Sequence, residues 1–304
     1  MRKIALCLLL PLFAPALAAQ GIESSGEISL QITSQPAAQL GFSWGFDFPF
    51  LRGDGALTRG NGISVAPSLT VTPVSLRLGA QAVWTPAAFA EIVAGASVGS
   101  GWNLRLFDSD LFGVGLNLPG EGGVAAHDGS AFDGAVWELR AGAALQGDLA
   151  AFFPGRWNHV IARTYHEIRR GGYSRARDGQ AWFFENDDGE NRNGFSYRGN
   201  LLVGYRMPLA LNMIALQAEA QTFLTRLPGG ERWGDGMARW TFSALLNFAL
   251  ADRLDVALIA QLRTRRNYLE PGWSDLHFTY RALDRSQPRR VEFHRVALAL
   301  TYRL

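Results

Sequence analysis

Apolar side chains recur at every second position, in stretches of roughly ten residues parted by turn residues, from Phe195 to the last residue, Leu304. A period of two puts successive side chains on opposite faces of a strand, which a helix would not do. Segments of about 9–11 residues also match what a tilted strand needs to cross a bilayer. In the last segment Val296, Leu298, Leu300, Tyr302 and Leu304 share one face, and Ala297, Ala299, Thr301 and Arg303 share the other. Upstream, Trp240, Phe242, Ala244, Leu246, Phe248 and Leu250 oppose Arg239, Thr241, Ser243, Leu245 and Asn247. After the Ala251-Asp252-Arg253 turn, Val256, Leu258, Ala260 and Leu262 oppose Asp255, Ala257, Ile259, Gln261 and Arg263, which predicts a hairpin. The apolar faces of these segments carry no charge. A soluble β-sandwich would share the period, so the rest of the chain has to discriminate.

The first eighteen residues read as a secretory signal peptide: Arg2 and Lys3, then the apolar run Ile4 to Leu12, then Ala16-Leu17-Ala18 as a small-residue cleavage site. Residues 19–304 would then form the mature protein. Cys7 is the only cysteine and lies in this leader, so disulfides and cysteine metal sites are excluded from the mature chain. No later run reaches the roughly 18 apolar residues of a spanning helix, so a membrane location requires a closed barrel. Lys3 is also the only lysine. The mature chain is neutral, yet residues 19–150 carry 5 Arg and 12 Asp+Glu while residues 151–304 carry 22 Arg and 15 Asp+Glu. No run of like charge is long enough to form a nucleic-acid arm.

The same rhythm runs through the N-terminal third. Leu40, Phe42, Trp44, Phe46 and Phe48 alternate with Gln39, Gly41, Ser43, Gly45 and Asp47, and Leu76, Leu78, Ala80, Ala82 and Trp84 with Ser75, Arg77, Gly79 and Gln81. Pro67 interrupts the segment between them. Trp137, Leu139, Ala141, Ala143 and Leu145 alternate with Glu138, Arg140, Gly142 and Gln146. In 157–168 the alternation is present but its faces are ambiguous. Strands are expected at 26–34, 38–48, 61–72, 74–84, 88–98, 134–146, 157–168, 195–207, 212–224, 238–250, 254–265 and 291–304. An even number returns both chain ends to one side. With the C-terminus periplasmic, the connections 147–156, 208–211 and 251–253 fall on that side and are short, whereas 99–133, 169–194, 225–237 and 266–290 fall outside and are long. Residues 49–60 are a long periplasmic exception. Leu276, Phe278 and Tyr280 are read as a strand extension beyond the bilayer.

Leader, alternating strands and C-terminal segment together resemble the outer-membrane β-barrel proteins of Gram-negative-type bacteria. The resemblance implies an all-β, transmembrane, antiparallel up-and-down β-barrel of about twelve strands. It also implies location in the outer membrane, contact with outer-membrane lipid, and reading of the C-terminal strand 296–304 by the barrel assembly machinery. Leu304 stands where such proteins usually end in an aromatic residue. The expected state is a monomer without cofactor, metal or nucleic-acid partner.

Catalytic groupings are thin. His127-Asp128-Gly129-Ser130, His159 with His166 and Glu167, and Asp187-Asp188 with His277 were the candidates for nucleophile, base and water activation, and none reproduces a motif. His294 reads as structural, and the chain as a non-enzyme. The inward face is richer: Arg77, Arg140, Arg198, Arg206, Arg239, Arg263 and Arg265, with Glu138, Glu219 and Gln217 among their neighbours. Two readings stand for it. Arginine rows lower the barrier to anions in a wet lumen, or Arg–Glu pairs brace a narrow barrel. The functional expectation is a passive channel for small polar, mildly anionic solutes, with a long loop such as 99–133 folded inward. The alternative is a non-conducting surface barrel whose loops bind a ligand or host component.

Overall fold

The computed structural model describes residues 22–35, 37–106, 109–185, 187–269 and 276–304. The leader and its cleavage site lie outside the described residues. Twelve long strands form the wall: β1 (Glu23–Thr33), β2 (Ala37–Pro49), β3 (Gly62–Thr72), β4 (Ser75–Ala87), β5 (Ala90–Gly101), β6 (Val136–Asp148), β7 (His159–Tyr173), β8 (Gly194–Arg206), β9 (Leu211–Phe223), β10 (Arg239–Ala251), β11 (Leu254–Arg266) and β12 (Arg289–Arg303). Each pairs antiparallel with its sequence neighbour, and β1 pairs with β12 to close the ring. Closure leaves no edge strand, so every wall strand has a hydrogen-bonding partner on both sides.

Register sorts the side chains as the alternation predicts. Across the seam Ile28, Leu30 and Ile32 stand opposite Tyr302, Leu300 and Leu298, while Glu27 stands opposite Arg303. The apolar set is exposed on the outside of the ring, with Leu40, Leu78, Leu139, Leu201, Leu216, Phe242 and Leu262 among it. Pro67 does not bulge the sheet. The β2–β3 pairing resumes in the same register on both sides of it, as a residue without an amide proton requires. His294 occupies a β-bulge, where Gln261 pairs with Arg295 and Leu262 with Phe293. Its carbonyl accepts Gln35 Nε2 at 3.0 Å, in keeping with a structural role.

The ambiguous segment resolves as β7, whose register with Ala143 and Gly199 puts His166 on the outer face, along with Val160, Ala162, Thr164 and Ile168. This is a polar break in the apolar wall, and toward the loop end Arg170 lies on the same face over the Phe195 ring at 5.5 Å. His166 Nδ1 lies 2.6 Å from the Tyr197 hydroxyl and Nε2 lies 2.9 Å from Thr164 Oγ1, so the three polar groups satisfy one another. A Cβ at Gly199 would come within 2.6 Å of the Tyr197 hydroxyl, so glycine there lets the two rings meet. Glu167, beside His166 in sequence, faces inward and is buried.

The connections 102–135, 174–193, 224–238 and 267–288 all open on one end of the barrel, and the tight turns 207–210 and 252–253 close the other. The segment 50–61 is a long connection at this short-turn end, as expected. Leu276 to Tyr280 does not extend a strand. Leu276 makes an isolated bridge to Val124, and Phe278–Tyr280 is a single 3-10 turn that buries Phe278 against Trp233. Hydrophobic alternation was produced there by loop packing, not by a sheet.

If His166 and Tyr197 stabilise each other in a lipid-facing wall, a double-mutant cycle with His166→Leu and Tyr197→Phe should give a coupling of about 0.6 kcal/mol. The measurement is urea unfolding from vesicles. Strict additivity of the two substitutions would show that the hydrogen bond contributes nothing.

Candidate functional site: a strapped, arginine-lined mouth

The most deeply buried large apolar side chains, Trp233, Phe183, Val114 and Tyr173, the last residue of β7, lie at the loop end. The long connections interlock there. Val114–Pro119 pairs with Ala181–Phe184, flanked by Ala125–Asp128 and by Asn191–Arg192, in a small four-stranded sheet. His277 N donates to the Gly123 carbonyl at 2.7 Å, and Trp233 meets Phe278 edge-on at 4.7 Å. Arg192 is buried in an ion pair with Asp235 and lies over the Phe223 ring at 4.0 Å.

Residues 184–185 and 187–192 form a strap across this mouth. At one end Glu185 Oε1 accepts Ser75 Oγ at 2.8 Å and Arg77 Nη2 at 3.3 Å, and the Arg77 guanidinium lies over Phe184. At the other end Glu190 accepts Arg239 Nη2 at 2.5 Å and pairs with Arg266, while Asp188 lies 3.3 Å from Arg239 and 3.9 Å from Arg263. In a twelve-strand ring β4 and β10 stand diametrically opposite. The strap therefore ties facing walls together across the lumen. Glu185 turns the chain with φ at +56°, a conformation unfavourable for a side-chain-bearing residue, so its two anchors hold it there. Burial alone would raise the Glu190 carboxyl, but Arg239 and Arg266 overcome it and hold the group down at about 2.

Beneath the strap is a cavity of about 550 Å³ whose lining includes Arg239, Arg263, Arg265, Arg266, Arg281 and Arg289 against Asp188, Glu190 and Glu219. Positive charge is in twofold excess there. Deeper in the lumen the arginines have side-chain partners, acidic for Arg198, Arg163 and Arg169 and the neutral Gln81 amide for Arg140. Arg198 donates to Glu219 at 2.5 Å, Arg140 to Gln81 at 2.6 Å, and Arg163 to Glu91 at 2.8 Å. Arg169 pairs with Glu138 at 3.3 Å and with buried Glu167, which also accepts the Tyr165 hydroxyl at 2.6 Å. At the mouth itself, Arg263 and Arg265 share Glu292, which offsets part of the excess there. A second, smaller cavity of about 170 Å³ touches Arg77, Arg140 and Glu138.

The inward residues named from the sequence thus divide into two groups. Arg239, Arg263 and Arg265 come together at the mouth, and Arg77 meets them only through the strap. Arg140, Arg198, Glu138 and Glu219 belong to the braced middle, Glu219 reaching the cavity from below. Gln217 stands level with Leu202 and Ser243. Arg206 is remote, at the short-turn end in register with His159 and Met213. Sequence reasoning did not place Arg163, Arg169 and Glu167 on the inward face, where the odd-numbered phase of β7 puts them, and missed Glu185, Glu190 and Arg266, which carry no periodic signal. The inward-folded element is the 174–193 connection, backed by Val114–Pro119, and not 99–133 alone.

The catalytic candidates are not assembled among the described residues. Asp187 accepts backbone amides of Phe184 and Gly189, holding the strap's own turn. His277 is buried against the Asn117 carbonyl at 3.2 Å and Thr279 at 2.7 Å. His159 pairs with Asp148 at 2.7 Å at the short-turn end, and His166 is on the outer wall. The His127 side chain lies outside the described set, and Ser130 is exposed in the turn that follows.

Neither a protein family model nor a curated protein sequence matches the chain. Solved structures similar to it include the NanC porin (8% identity, 92% of this chain and 100% of that one, TM-score 0.45). Others are the KdgM porin (11%, 92% and 98%, 0.39) and an outer membrane channel from Pseudomonas putida F1 (11%, 92% and 95%, 0.41). A closed, even-stranded antiparallel ring with a largely apolar outer wall, a charged interior and long loops at one end is the architecture of a transmembrane β-barrel.

Glu190→Gln would leave Arg239 and Arg266 facing a neutral amide. Removing one partner of a largely buried pair costs about 3–5 kcal/mol. Limited proteolysis of folded protein should therefore cut within 184–193 in the variant and spare the wild type. Because the Glu190 pKa is depressed in the fold, its contribution is complete above the ordinary carboxylate range and is lost only as pH falls through about 2. Wild-type protection of the strap should not fall between pH 8 and pH 5, where burial-raised Asp187 in the same turn, at about 6, can only add stability on gaining its proton, and loss of protection near pH 5 would contradict this account.

Proposed function

We propose that the protein is an outer-membrane channel for the passive passage of small polar solutes, with a preference for anions set at its strapped mouth. The observation that carries this reading is the twofold excess of arginine over carboxylate around the 550 Å³ cavity. An anion entering there exchanges lost hydration for guanidinium hydrogen bonds, and the arginine fork suits carboxylate or phosphate in a two-pronged contact. Below the mouth the charges are paired, so the lumen holds no single deep trap and an ion can leave as readily as it enters. The strap narrows the path and sets the unit conductance.

Planar-bilayer recording tests this. Refolded protein should give discrete conductance steps with anions favoured, and replacing Arg239, Arg263 and Arg265 together by Gln should lower the anion-to-cation permeability ratio several-fold. Unchanged selectivity would remove the mouth from the mechanism, and absence of any steps would remove the channel. The interlocking of all four long connections into a cap with its own buried cluster favours one competitor, a non-conducting barrel whose loops bind a surface ligand. That reading expects silence even from strap variants such as Glu185→Gln with Glu190→Gln, whereas the channel reading expects larger steps from them.

A further inference from the structure

The short-turn end is lopsided. On the half of the ring formed by β2 to β7, the connections 50–61 and 88–89 are stitched to each other and to the end of β6, and 149–158 follows β6 at the same end. Ala88 N donates to the Leu57 carbonyl at 2.9 Å and Gln146 N to the Phe89 carbonyl at 2.8 Å. Buried Asn61 donates through Nδ2 to the Pro86 and Leu51 carbonyls at 2.7 and 3.1 Å. On the other half, 207–210 and 252–253 are tight turns with no counterpart.

What this shelf of connections presents is apolar. Phe152 is 79% exposed, Leu51 64%, Phe153 62%, Leu57 58% and Trp157 52%. So many large apolar groups in one place mark a contact surface. The surface continues the lipid-facing wall. Phe50 follows outward-facing Phe48 off the end of β2, and the outward Tyr205 hydroxyl on β8 donates to the Trp157 carbonyl at 2.9 Å. That bond holds the Trp157 end of the 149–158 connection on the outer side of the barrel. Interleaved with the apolar tips are exposed Arg52, Arg59 and Arg156, against the single acid Asp54. Aromatic groups beside arginines are the composition that settles at a headgroup boundary, the rings below and the guanidinium groups on phosphate.

We propose that this shelf is a one-sided membrane foot. Phe152, Phe153 and Trp157 enter the leaflet at the short-turn end, and Arg52, Arg59 and Arg156 bind the phosphates of anionic phospholipids. The inference rests on the reading of the ring as a membrane barrel, and its test separates the two. In a Cys7→Ser background, single cysteines replace Phe152, Phe153 or, on the mid-wall, Leu298, and each carries an environment-sensitive fluorophore. Folded protein, verified by heat-modifiable gel mobility, is inserted into phosphatidylcholine vesicles with or without phosphatidylglycerol. Labels at Phe152 and Phe153 should shift to the blue and be quenched most by lipids carrying a quencher near the glycerol, and the Leu298 label by lipids quenched deep in the chain. Spin-labelled phosphatidylglycerol should associate roughly fivefold more weakly per arginine removed when Arg52, Arg59 and Arg156 are changed to Gln. Water-exposed labels at Phe152 and Phe153 beside a lipid-quenched Leu298 would overturn the foot and leave the barrel standing. Water exposure at all three would overturn both. Shielding at Phe152 that appears only when a soluble protein is added would assign the shelf to that protein and also overturn the proposal.

Discussion

Backbone amides cannot stay unpaired in hydrocarbon, and the rest of the molecule follows from how this chain meets that constraint. Each unsatisfied group there costs several kcal/mol. The answer is the seam between β1 and β12, which turns a meander with two open edges into a ring with none. Once closed, the ring fixes the meaning of the period-two pattern. One set of side chains faces outward and is mostly apolar, and the other faces an enclosed space and can be charged. The segregation of Ile28, Leu30 and Ile32 from Glu27, Ser29 and Gln31 is then a consequence of closure and not a separate choice.

Confinement of charge to the interior has its own consequence. Ions in a narrow lumen are stable only if they are hydrated or paired, and the middle of this barrel is paired strand by strand, as with Arg198 and Glu219 or Arg169 and Glu138. Of the two readings of the inward arginines, the bracing one describes the middle, while at the mouth arginines outnumber the carboxylates that line the cavity. Two of the acids that partly offset the mouth, Asp188 and Glu190, come from a connection and not from the wall, so the same residues that moderate the field also hold the strap in place.

The wall was legible in the sequence because it is dictated by a local, periodic signal. All twelve strands were anticipated within a few residues of their observed ends, and so was the sorting of long and short connections. β7 resisted because Ala162, Thr164 and His166 present no apolar contrast to Arg163 and Tyr165. The outward polar set is tolerated only through the His166–Tyr197–Thr164 contacts, which involve a neighbouring strand. The strap was illegible for a different reason. Glu185 meets Arg77 and Glu190 meets Arg266 across 108 and 76 positions of sequence, and such pairings leave no periodicity to read. Leu276 to Tyr280 misled because a loop core also needs apolar residues at short intervals, and three positions are too few to tell a strand from a 3-10 turn.

The most direct measurement is a spin-label accessibility scan of consecutive positions along β10 and β11, from Thr241 to Leu262, in protein folded into lipid vesicles. Access of oxygen, which concentrates in hydrocarbon, should peak at Phe242, Ala244, Leu246, Val256, Leu258 and Ala260. Access of a water-soluble nickel chelate should be lower at those sites than at the positions between them. Collision rates that vary smoothly along both strands, or that give water access on both faces, would contradict a closed ring with lipid outside and a polar space within.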